Sequence, residues 1–185
     1  LSMAGKVAIV TGAGSVGPGW GNGKATATLL ARQGASVFLV DIVQDAVDET
    51  KRIIESEGGT CATHLCDMTV SADVREMVQA CIDRFKRLDI LVANAGILGA
   101  LMPIGHITPK IWGQVMDVNV TANWRLIRSM DPLLRQSDAG RAVFVTSGLA
   151  QKCWAYWGAY SISKAALDQL VTQVSWVRPL PEPSP

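Results

Sequence analysis

The sequence has almost no excess of charge of either sign. Its 17 Lys and Arg residues and 16 Asp and Glu residues leave a formal net charge of +1, and charged residues make up 18% of the chain. No stretch concentrates Lys and Arg, so the basic surface that binds nucleic acids or anionic membranes is not expected. The composition argues against a nucleic-acid partner and favours a small neutral or anionic ligand.

Cysteine, histidine and long apolar runs are also scarce. The four cysteines and two histidines show neither C-x-x-C spacing nor the spacing of metal ligands, so we expect no metal site. The thiols of Cys61, Cys66, Cys81 and Cys153 are expected to be reduced and mostly packed. No apolar run reaches the roughly 18 residues of a membrane span, and no charged-then-apolar leader opens the chain. We therefore expect a cytoplasmic protein without a membrane partner.

What the sequence does contain is a regular alternation of strand-like and helix-like segments. Residues 6–11 form a short β-branched run that stops at glycines, which is typical of a strand buried on both faces. Further strands are predicted at 36–41, 60–66, 89–93 and 142–146, and helices at 22–33, 44–57, 71–85 and 108–136, with a last helix around Tyr160. The alternation predicts an α/β fold, a Rossmann-like, doubly wound parallel sheet with strand order 3-2-1-4-5 and helices on both faces.

The length of 185 residues suits one domain with one hydrophobic core. We predict a single domain over residues 1–178 and a Pro-rich, disordered tail over residues 179–185. The long helix in this domain is expected to begin with Thr108 as its cap and Pro109 at its first position. A kink is expected where Asp131 precedes Pro132.

The segment that joins the first strand to the first helix is rich in glycine. It reads TGAGSVGPGWGNGK. Glycine lets backbone N–H groups approach a pyrophosphate, and the N-terminus of the following helix favours the negative charge of that group. A flexible surface loop is the alternative, but a dinucleotide-binding loop must lie at this position in the chain. The predicted cofactor contacts in this segment are Gly12, Ser15, Gly21, Asn22 and Gly23.

Two aspartates follow neighbouring strands of the predicted sheet. Asp41 ends the second strand 18 residues after Gly23, close to the roughly 20 residues expected for a carboxylate that accepts from a ribose 2′-hydroxyl. NAD is favoured over NADP because this carboxylate would repel a 2′-phosphate, and the next residue is Ile42 rather than an arginine. Asp67 follows the third strand and could accept a hydrogen bond from the adenine amine. Either aspartate could instead serve only as a cap.

Tyr160 and Lys164 are four residues apart in the last predicted helix, so their side chains lie on one face. A cation beside a phenol favours the phenolate and lowers its pKa, which would let Tyr160 exchange a proton with an alcohol or carbonyl oxygen. Ser147 ends the fifth strand and can hydrogen-bond a substrate oxygen. Asn119, inside a helix where Asn is disfavoured, could hold a water that leads to Lys164. Each of these residues could instead be structural, as a packed tyrosine, a solvated lysine, a cap or a buried amide.

Together these residues resemble the short-chain dehydrogenase/reductase family. Thr11-Gly12 with Gly21-Asn22-Gly23 is similar to the T-G-x-x-x-G-x-G loop of that family, and Asn94-Ala95-Gly96 matches its N-A-G motif after the fourth strand. The order and spacing of its Asn-Ser-Tyr-Lys set are matched by Asn119, Ser147, Tyr160 and Lys164. The resemblance covers about residues 5–174.

The resemblance implies an oxidoreductase that transfers a hydride between NAD and a secondary alcohol or ketone. Tyr160 would then be the general acid/base, Ser147 would orient the substrate and Asn119 would support a proton relay. Lys164 would lower the tyrosine pKa and hold the nicotinamide ribose. The cofactor-binding set then also includes Asn94, Ala95, Gly96, Tyr160 and Lys164. A homodimer or homotetramer is implied as well, formed through the helix at 108–136 and the last helix.

Two departures from the family pattern support a second hypothesis. The family loop places its second glycine four residues after the first, whereas Gly21 lies nine residues after Gly12, so about five residues, 16–20, are inserted. Members of the family usually continue with a sixth strand, a lid and a seventh strand, whereas this sequence continues into the Pro-rich tail. A chain that ends there would leave the fifth strand as an apolar edge, with low stability and little turnover. The second hypothesis is a truncated relative that binds dinucleotide without catalysis.

Overall fold

The computed structural model of the protein describes residues 2–152 and 154–176. Strands and helices alternate along this part of the chain. In chain order the elements are β1 (Val7–Thr11), α1 (Asn22–Arg32), β2 (Ser36–Asp41), α2 (Gln44–Ser56), β3 (Thr60–Leu65), α3 (Ser71–Phe85), β4 (Ile90–Ala93), α4 (Pro109–Met116), α5 (Ala122–Gln136), β5 (Arg141–Phe144) and α6 (Gly158–Trp176). A π-helical turn, Asp117–Thr121, connects α4 to α5, and a 3-10 turn, Gly148–Ala150, follows β5.

The strands form one parallel sheet in the order β3-β2-β1-β4-β5, which confirms the predicted fold class. The central strand β1 pairs with β2 on one side and with β4 on the other, so Val10 lies opposite both Leu39 and Val92. After β3 the chain crosses back over the sheet to begin β4 beside β1. Ligand clefts form where the strand order reverses in this way, beyond the carboxyl ends of the strands.

Both faces of the central strands β1, β2 and β4 are buried, which explains why these strands are nearly continuous apolar runs. Ile9 and Leu91 belong to a cluster with Met77 of α3 and Leu126 of α5. Val10 belongs to a second cluster, on the opposite face, that is built with residues of α1 and α2. Adjacent residues of one strand pack into different clusters because side chains alternate between the two faces.

The long helix predicted at 108–136 is interrupted. Thr108 caps α4 by accepting a hydrogen bond from the Ile111 amide at 3.3 Å, with Pro109 at the first position, as predicted. The interruption is the π turn Asp117–Thr121, which the sequence did not predict. Pro132 lies inside α5, and the kink expected there stays a prediction. A π turn admits one extra residue into a helix and often marks a functional site. Its presence depends on tertiary contacts of Asn119 that helix propensity does not reveal.

Strand β5 lies at the edge of the described sheet. It spans Arg141–Phe144 rather than the predicted 142–146, and its hydrogen-bonded neighbour is β4. The side chain of Val143 is 53% exposed. The described part of the chain therefore presents an apolar strand edge on this side, as expected from the sequence.

Several expectations concern other parts of the chain. Cys61, Cys66 and Cys81 are free and buried, as predicted, whereas Cys153 and the tail predicted at 179–185 lie outside the described residues. The division into a domain over 1–178 and a tail therefore stays a prediction. None of the helices in the described segments combines the length and the apolar character that crossing a bilayer requires.

A buried carboxylate joins the amino-terminal ends of three strands. Asp89 accepts hydrogen bonds from the Val7 amide at 2.8 Å, from the Arg87 guanidinium at 2.6 and 2.8 Å and from the Ser137 hydroxyl, and its carbonyl accepts from the Arg141 amide. Burial alone would raise the pKa of the Asp89 carboxyl, but the hydrogen bonds from Arg87, Ser137 and Val7 lower it to about 2. The charged form is therefore the one that stabilises the fold.

This pKa predicts how stability changes in acid. Because the folded pKa of Asp89 lies below the ordinary value of 3.8, its contribution of roughly 2 kcal/mol is fully present above pH 4 and lost as pH falls through about 2. We expect Asp89→Asn to lower the free energy of unfolding at pH 7 and to flatten its decline between pH 4 and 2, as measured by urea unfolding. Asp131→Asn, which breaks an exposed pair with Arg135, is the control and should change stability little. Equal stability of the Asp89→Asn and wild-type proteins at pH 7 would contradict this role.

Candidate active site

One cleft of about 550 Å³ lies beyond the carboxyl ends of the central strands. Its lining includes all of the predicted cofactor-binding residues that do not belong to helix α6. These residues are Gly12, Ser15, Gly21, Asn22, Gly23, Asp41, Asp67, Asn94, Ala95 and Gly96. Apolar side chains, including Ile42, Val43 and Val118, complete the walls. The tertiary structure thus brings four separate stretches of sequence to one concave surface of the kind that binds small molecules.

Helix α1 begins in close contact with the end of β1. A side chain at Gly23 would overlap the carbonyl oxygen of Gly12 and lie 2.6 Å from the amide nitrogen of Asn94. Asn94 donates through Nδ2 to the carbonyl oxygens of Thr11 at 3.1 Å and Gly12 at 3.0 Å. Helix α1 therefore points its unpaired N-terminal amides into the cleft, where they can bind an anionic group.

Asp41 lies at the carboxyl end of β2 and is held in place by backbone amides. Its Oδ2 accepts from Gly14 at 2.9 Å, and its Oδ1 accepts from Ile42 at 2.8 Å and Val43 at 3.1 Å. A carboxylate oxygen can accept more than one hydrogen bond, so Asp41 retains capacity for a ribose hydroxyl. Its side chain thus binds the backbone of the turn before α2, but it does not cap that helix, whose N-cap is Val43.

Asp67 lies on the same edge, after β3. Its Oδ1 accepts from the amide of Thr69 at 2.9 Å and from the hydroxyl of Thr69 at 2.7 Å. These bonds orient the carboxylate at the rim of the cleft. The neighbouring Cys66 also lines the cleft, but burial, reinforced by Asp73 and other nearby carboxylates, raises the pKa of its thiol to about 12. Cys66 is therefore a packed thiol and not a nucleophile.

Asn119 occupies the π turn and is fully buried. Its Oδ1 accepts from the Ile97 amide at 2.9 Å, and its Nδ2 donates to the Ile97 carbonyl at 2.8 Å and to the Ser163 hydroxyl at 2.9 Å. Both Nδ2 hydrogens are thereby used. The side chain of Asn119 thus joins the cleft wall at Ile97 to helix α6. This agrees with the sequence-based interpretation of Asn119 as a buried amide that forms hydrogen bonds.

Lys164 is almost completely buried, with 3% of its surface exposed. Its Nζ donates to the carbonyl oxygen of Val145 at 2.7 Å and lies 5.8 Å from the centroid of the Tyr160 ring. Burial lowers the pKa of the Lys164 ammonium, and Asp168 partly opposes this effect. A Cβ added to Gly96 would lie 3.4 Å from this Nζ. Glycine at position 96 therefore leaves the lysine next to the wall of the cleft.

Tyr160 lies in the first turn of α6, on the same face as Lys164. Its ring packs edge-on against Trp157, with 5.8 Å between centroids, and its backbone carbonyl accepts from the Ser163 hydroxyl at 2.7 Å. The phenolic hydroxyl forms no hydrogen bond with any residue that the structure describes. The hydroxyl is thus available to a substrate oxygen.

Ser147 follows β5 and caps the 3-10 turn Gly148–Ala150. Its hydroxyl accepts from the Leu149 amide at 3.2 Å, and the turn packs against α6. A hydroxyl that accepts a backbone hydrogen bond can still donate its own hydrogen. The capping role is therefore compatible with orientation of a substrate.

Three residues of this region were not identified from the sequence as site residues. The Thr11 hydroxyl accepts from the amides of Asn94 and Ala95. Ser163 links Asn119 to the backbone of Tyr160. Its position between Tyr160 and Lys164 was the one feature of the sequence that could have identified it as a site residue. Lys24 is buried beneath the glycine-rich segment, but nothing in the sequence distinguishes it from a solvated helix lysine.

The chain is similar to many proteins of known sequence and structure. The profile of the family described as short chain dehydrogenase matches residues 6–176. An uncharacterized NAD-dependent oxidoreductase of Mycobacterium tuberculosis is 32% identical over 188 residues, which covers 94% of this chain and 66% of that protein. The chain spans 65–66% of the length of three of the curated relatives that it matches.

Solved structures share the fold over nearly the whole chain. The structure of an NAD+-bound xylitol dehydrogenase superposes with a TM-score of 0.86 at 29% identity, covering 92% of this chain and 64% of that one. A short chain dehydrogenase from Shigella flexneri, complexed with NADP, superposes with a TM-score of 0.84 at 30% identity, covering 93% of this chain and 71% of that one. Proteins of this fold thus bind either nicotinamide dinucleotide.

Proposed function

Because the chain belongs to the short-chain dehydrogenase family, we propose that it is an oxidoreductase that transfers a hydride between NAD and a secondary alcohol or ketone. The observation that carries this proposal is the buried Lys164 ammonium, which lies next to Gly96 of the cleft wall and 5.8 Å from the centroid of the Tyr160 ring. The bound nicotinamide would supply or accept the hydride. The protein would hold both reactants and move the proton.

Tyr160 is the proposed general acid/base. Its hydroxyl would donate a proton to the carbonyl oxygen in reduction and accept one from the alcohol in oxidation. The buried ammonium of Lys164, on the same helix face, stabilises the negative charge that develops on the phenol oxygen. The Ser147 hydroxyl would donate to the substrate oxygen and hold it toward Tyr160.

Asn119 has an indirect part in this proposal. Its side chain is fully engaged with Ile97 and Ser163, so it fixes the distance between the cleft wall and helix α6. Its backbone carbonyl accepts from the side-chain amide of Asn123 at 2.9 Å. Because both Nδ2 hydrogens of Asn119 are already used, a relay water toward Lys164 would not accept a hydrogen bond from this side chain.

The residues of the cleft fit a dinucleotide. The N-terminus of α1 and the glycines that precede it suit a pyrophosphate, and Asp41 suits an adenosine ribose with a free 2′-hydroxyl. No Lys or Arg side chain borders the cleft among the residues that the structure describes. Ile42 and Val43, which follow Asp41, are exposed and apolar. The absence of a cation for a 2′-phosphate favours NAD over NADP.

The proton-transfer role predicts a specific loss of activity. Tyr160→Phe removes only the hydroxyl, so turnover of NAD with a secondary alcohol should fall at least ~100-fold while the Kd for NAD stays nearly unchanged. Tyr156→Phe, the same change at the only other tyrosine, is the control and should retain wild-type turnover. Unchanged turnover in Tyr160→Phe would refute the proposed role. A wild-type chain that binds NAD but oxidises no alcohol would support the alternative of a non-catalytic, dinucleotide-binding relative.

The cofactor preference depends on the charge of Asp41. Asp41→Asn keeps the shape of the side chain but removes the repulsion of a 2′-phosphate, so the ratio of NADP affinity to NAD affinity should rise about tenfold. Isothermal titration calorimetry with both cofactors measures the ratio. Asp67→Asn, a second carboxylate change in the same cleft, should leave the ratio nearly constant. Tighter binding of NADP than of NAD by the wild-type protein would overturn the preference.

We also propose that the protein forms a symmetric homodimer or homotetramer through α4, α5 and α6. Trp112 of α4 and Trp124 of α5 are 37% and 46% exposed, and exposed aromatic side chains of this kind favour an interface between subunits. Light scattering at micromolar concentration should give a multiple of the 19.7 kDa chain mass, and Trp124→Glu should lower it. Leu29→Glu, at an exposed position on α1, is the control. A monomer mass for the wild-type protein would contradict this proposal.

A further inference from the structure

The inserted segment, residues 16–20, is the part of the cleft rim that the proposed function does not explain. All five residues are exposed, with Trp20 at 60% and Val16 fully in solvent. The segment follows Ser15 and precedes Gly21, and both of these residues line the cleft. A glycine-containing loop with so little packing has many accessible conformations unless its ends are held.

Hydrogen bonds close the base of the inserted segment. The Ser15 hydroxyl donates to the Gly19 carbonyl at 3.3 Å and accepts from the Gly21 amide at 2.9 Å. These contacts return the chain to the start of α1 after the insertion. They are neutral hydrogen bonds at a partly exposed position, and such bonds contribute only modestly to stability.

A buried lysine adds a much stronger constraint. Only 1% of the Lys24 side chain is exposed, yet its ammonium lies 2.9 Å from the Gly19 carbonyl, to which it donates, and 2.9 Å from Oε1 of Glu49 on α2. A buried ammonium without partners would be very unfavourable, and hydrogen bonds to charged groups are stronger than neutral ones. The inserted segment is therefore joined through one cation to both α1 and α2.

We propose that Lys24 is a positioning residue for the dinucleotide. This inference rests on the proposed cofactor function. By fixing Gly19, Lys24 limits the conformations of the inserted segment and holds Ser15, Val16 and Gly21, which line the cleft, in place where the pyrophosphate would bind. Without Lys24 the segment would have to become ordered when the cofactor binds, and that ordering would reduce affinity.

The primary test is cofactor affinity. Lys24→Met keeps the length and apolar stem of the side chain but removes both polar contacts, so the Kd for NAD should rise about tenfold, measured by calorimetry. Lys51→Met, on α2 and paired only with Glu55 at 3.9 Å, is the matched control and should bind NAD like the wild type. If Lys24→Met does not fold, as judged by its thermal transition, Lys24→Gln provides the same comparison.

A double-mutant cycle separates positioning from a direct effect of charge. Deletion of residues 16–20 restores the glycine spacing of the family loop, in which the second glycine lies four residues after the first. If Lys24 acts through the inserted segment, Lys24→Met should weaken NAD binding in the full-length loop but change it less than twofold in the shortened loop. An equal loss in both backgrounds would overturn the proposal, because Lys24 would then act independently of the insertion.

A second readout does not depend on cofactor. Chymotrypsin cleavage after Trp20, followed by mass spectrometry, should be faster in Lys24→Met than in the wild type and unchanged in Lys51→Met. Cleavage and NAD affinity both equal to wild type in Lys24→Met would refute the positioning role. If the wild-type protein binds neither NAD nor NADP while the cleavage difference persists, the proposed function fails but the contact of Lys24 with the segment stands.

Discussion

The close approach of α1 to the end of β1, which requires that Gly23 has no side chain, is the constraint on which the cleft depends. Any Cβ at this position would overlap the Gly12 carbonyl, so a larger residue would push the helix away from the sheet. The helix N-terminus would then no longer point into the cleft. Asn94 strengthens the same junction by binding the backbone of Thr11 and Gly12. One steric requirement therefore fixes β1, α1 and the end of β4 relative to one another.

The other half of the site depends on buried hydrogen bonds. Asn119, Ser163 and the backbone of Ile97 satisfy one another in the interior, where an unpaired polar group would be costly. The π turn places Asn119 at this point, and the bonds hold α6 against the cleft wall. Tyr160 and Lys164 belong to that helix, so their position relative to a bound cofactor is set by residues that need not contact substrate.

The two halves meet at Gly96, which borders both the cleft and the Lys164 ammonium. The proposed cofactor-binding residues, apart from Tyr160 and Lys164, come from the chain up to this residue, and the proposed catalytic residues come from the chain after it. Both halves lie within the residues that match the short chain dehydrogenase family. The resemblance read from the motifs is therefore confirmed at the level of family and fold, while the roles of the individual residues await the tests above.

The sequence by itself determined the strand order, nearly all element positions and ten of the residues that line the cleft, because these follow from the alternation of strands and helices and from motifs of fixed spacing. Only the tertiary structure decided that the long helix is interrupted at Asp117–Thr121, and that Ser163 and Lys24 are buried. Each of these features depends on a partner distant in the chain. Asn119 and Ser163 are 44 residues apart, and Lys24 pairs with a glutamate of a different helix. Such pairs cannot be predicted from local sequence, because the two residues interact only after their elements have packed together.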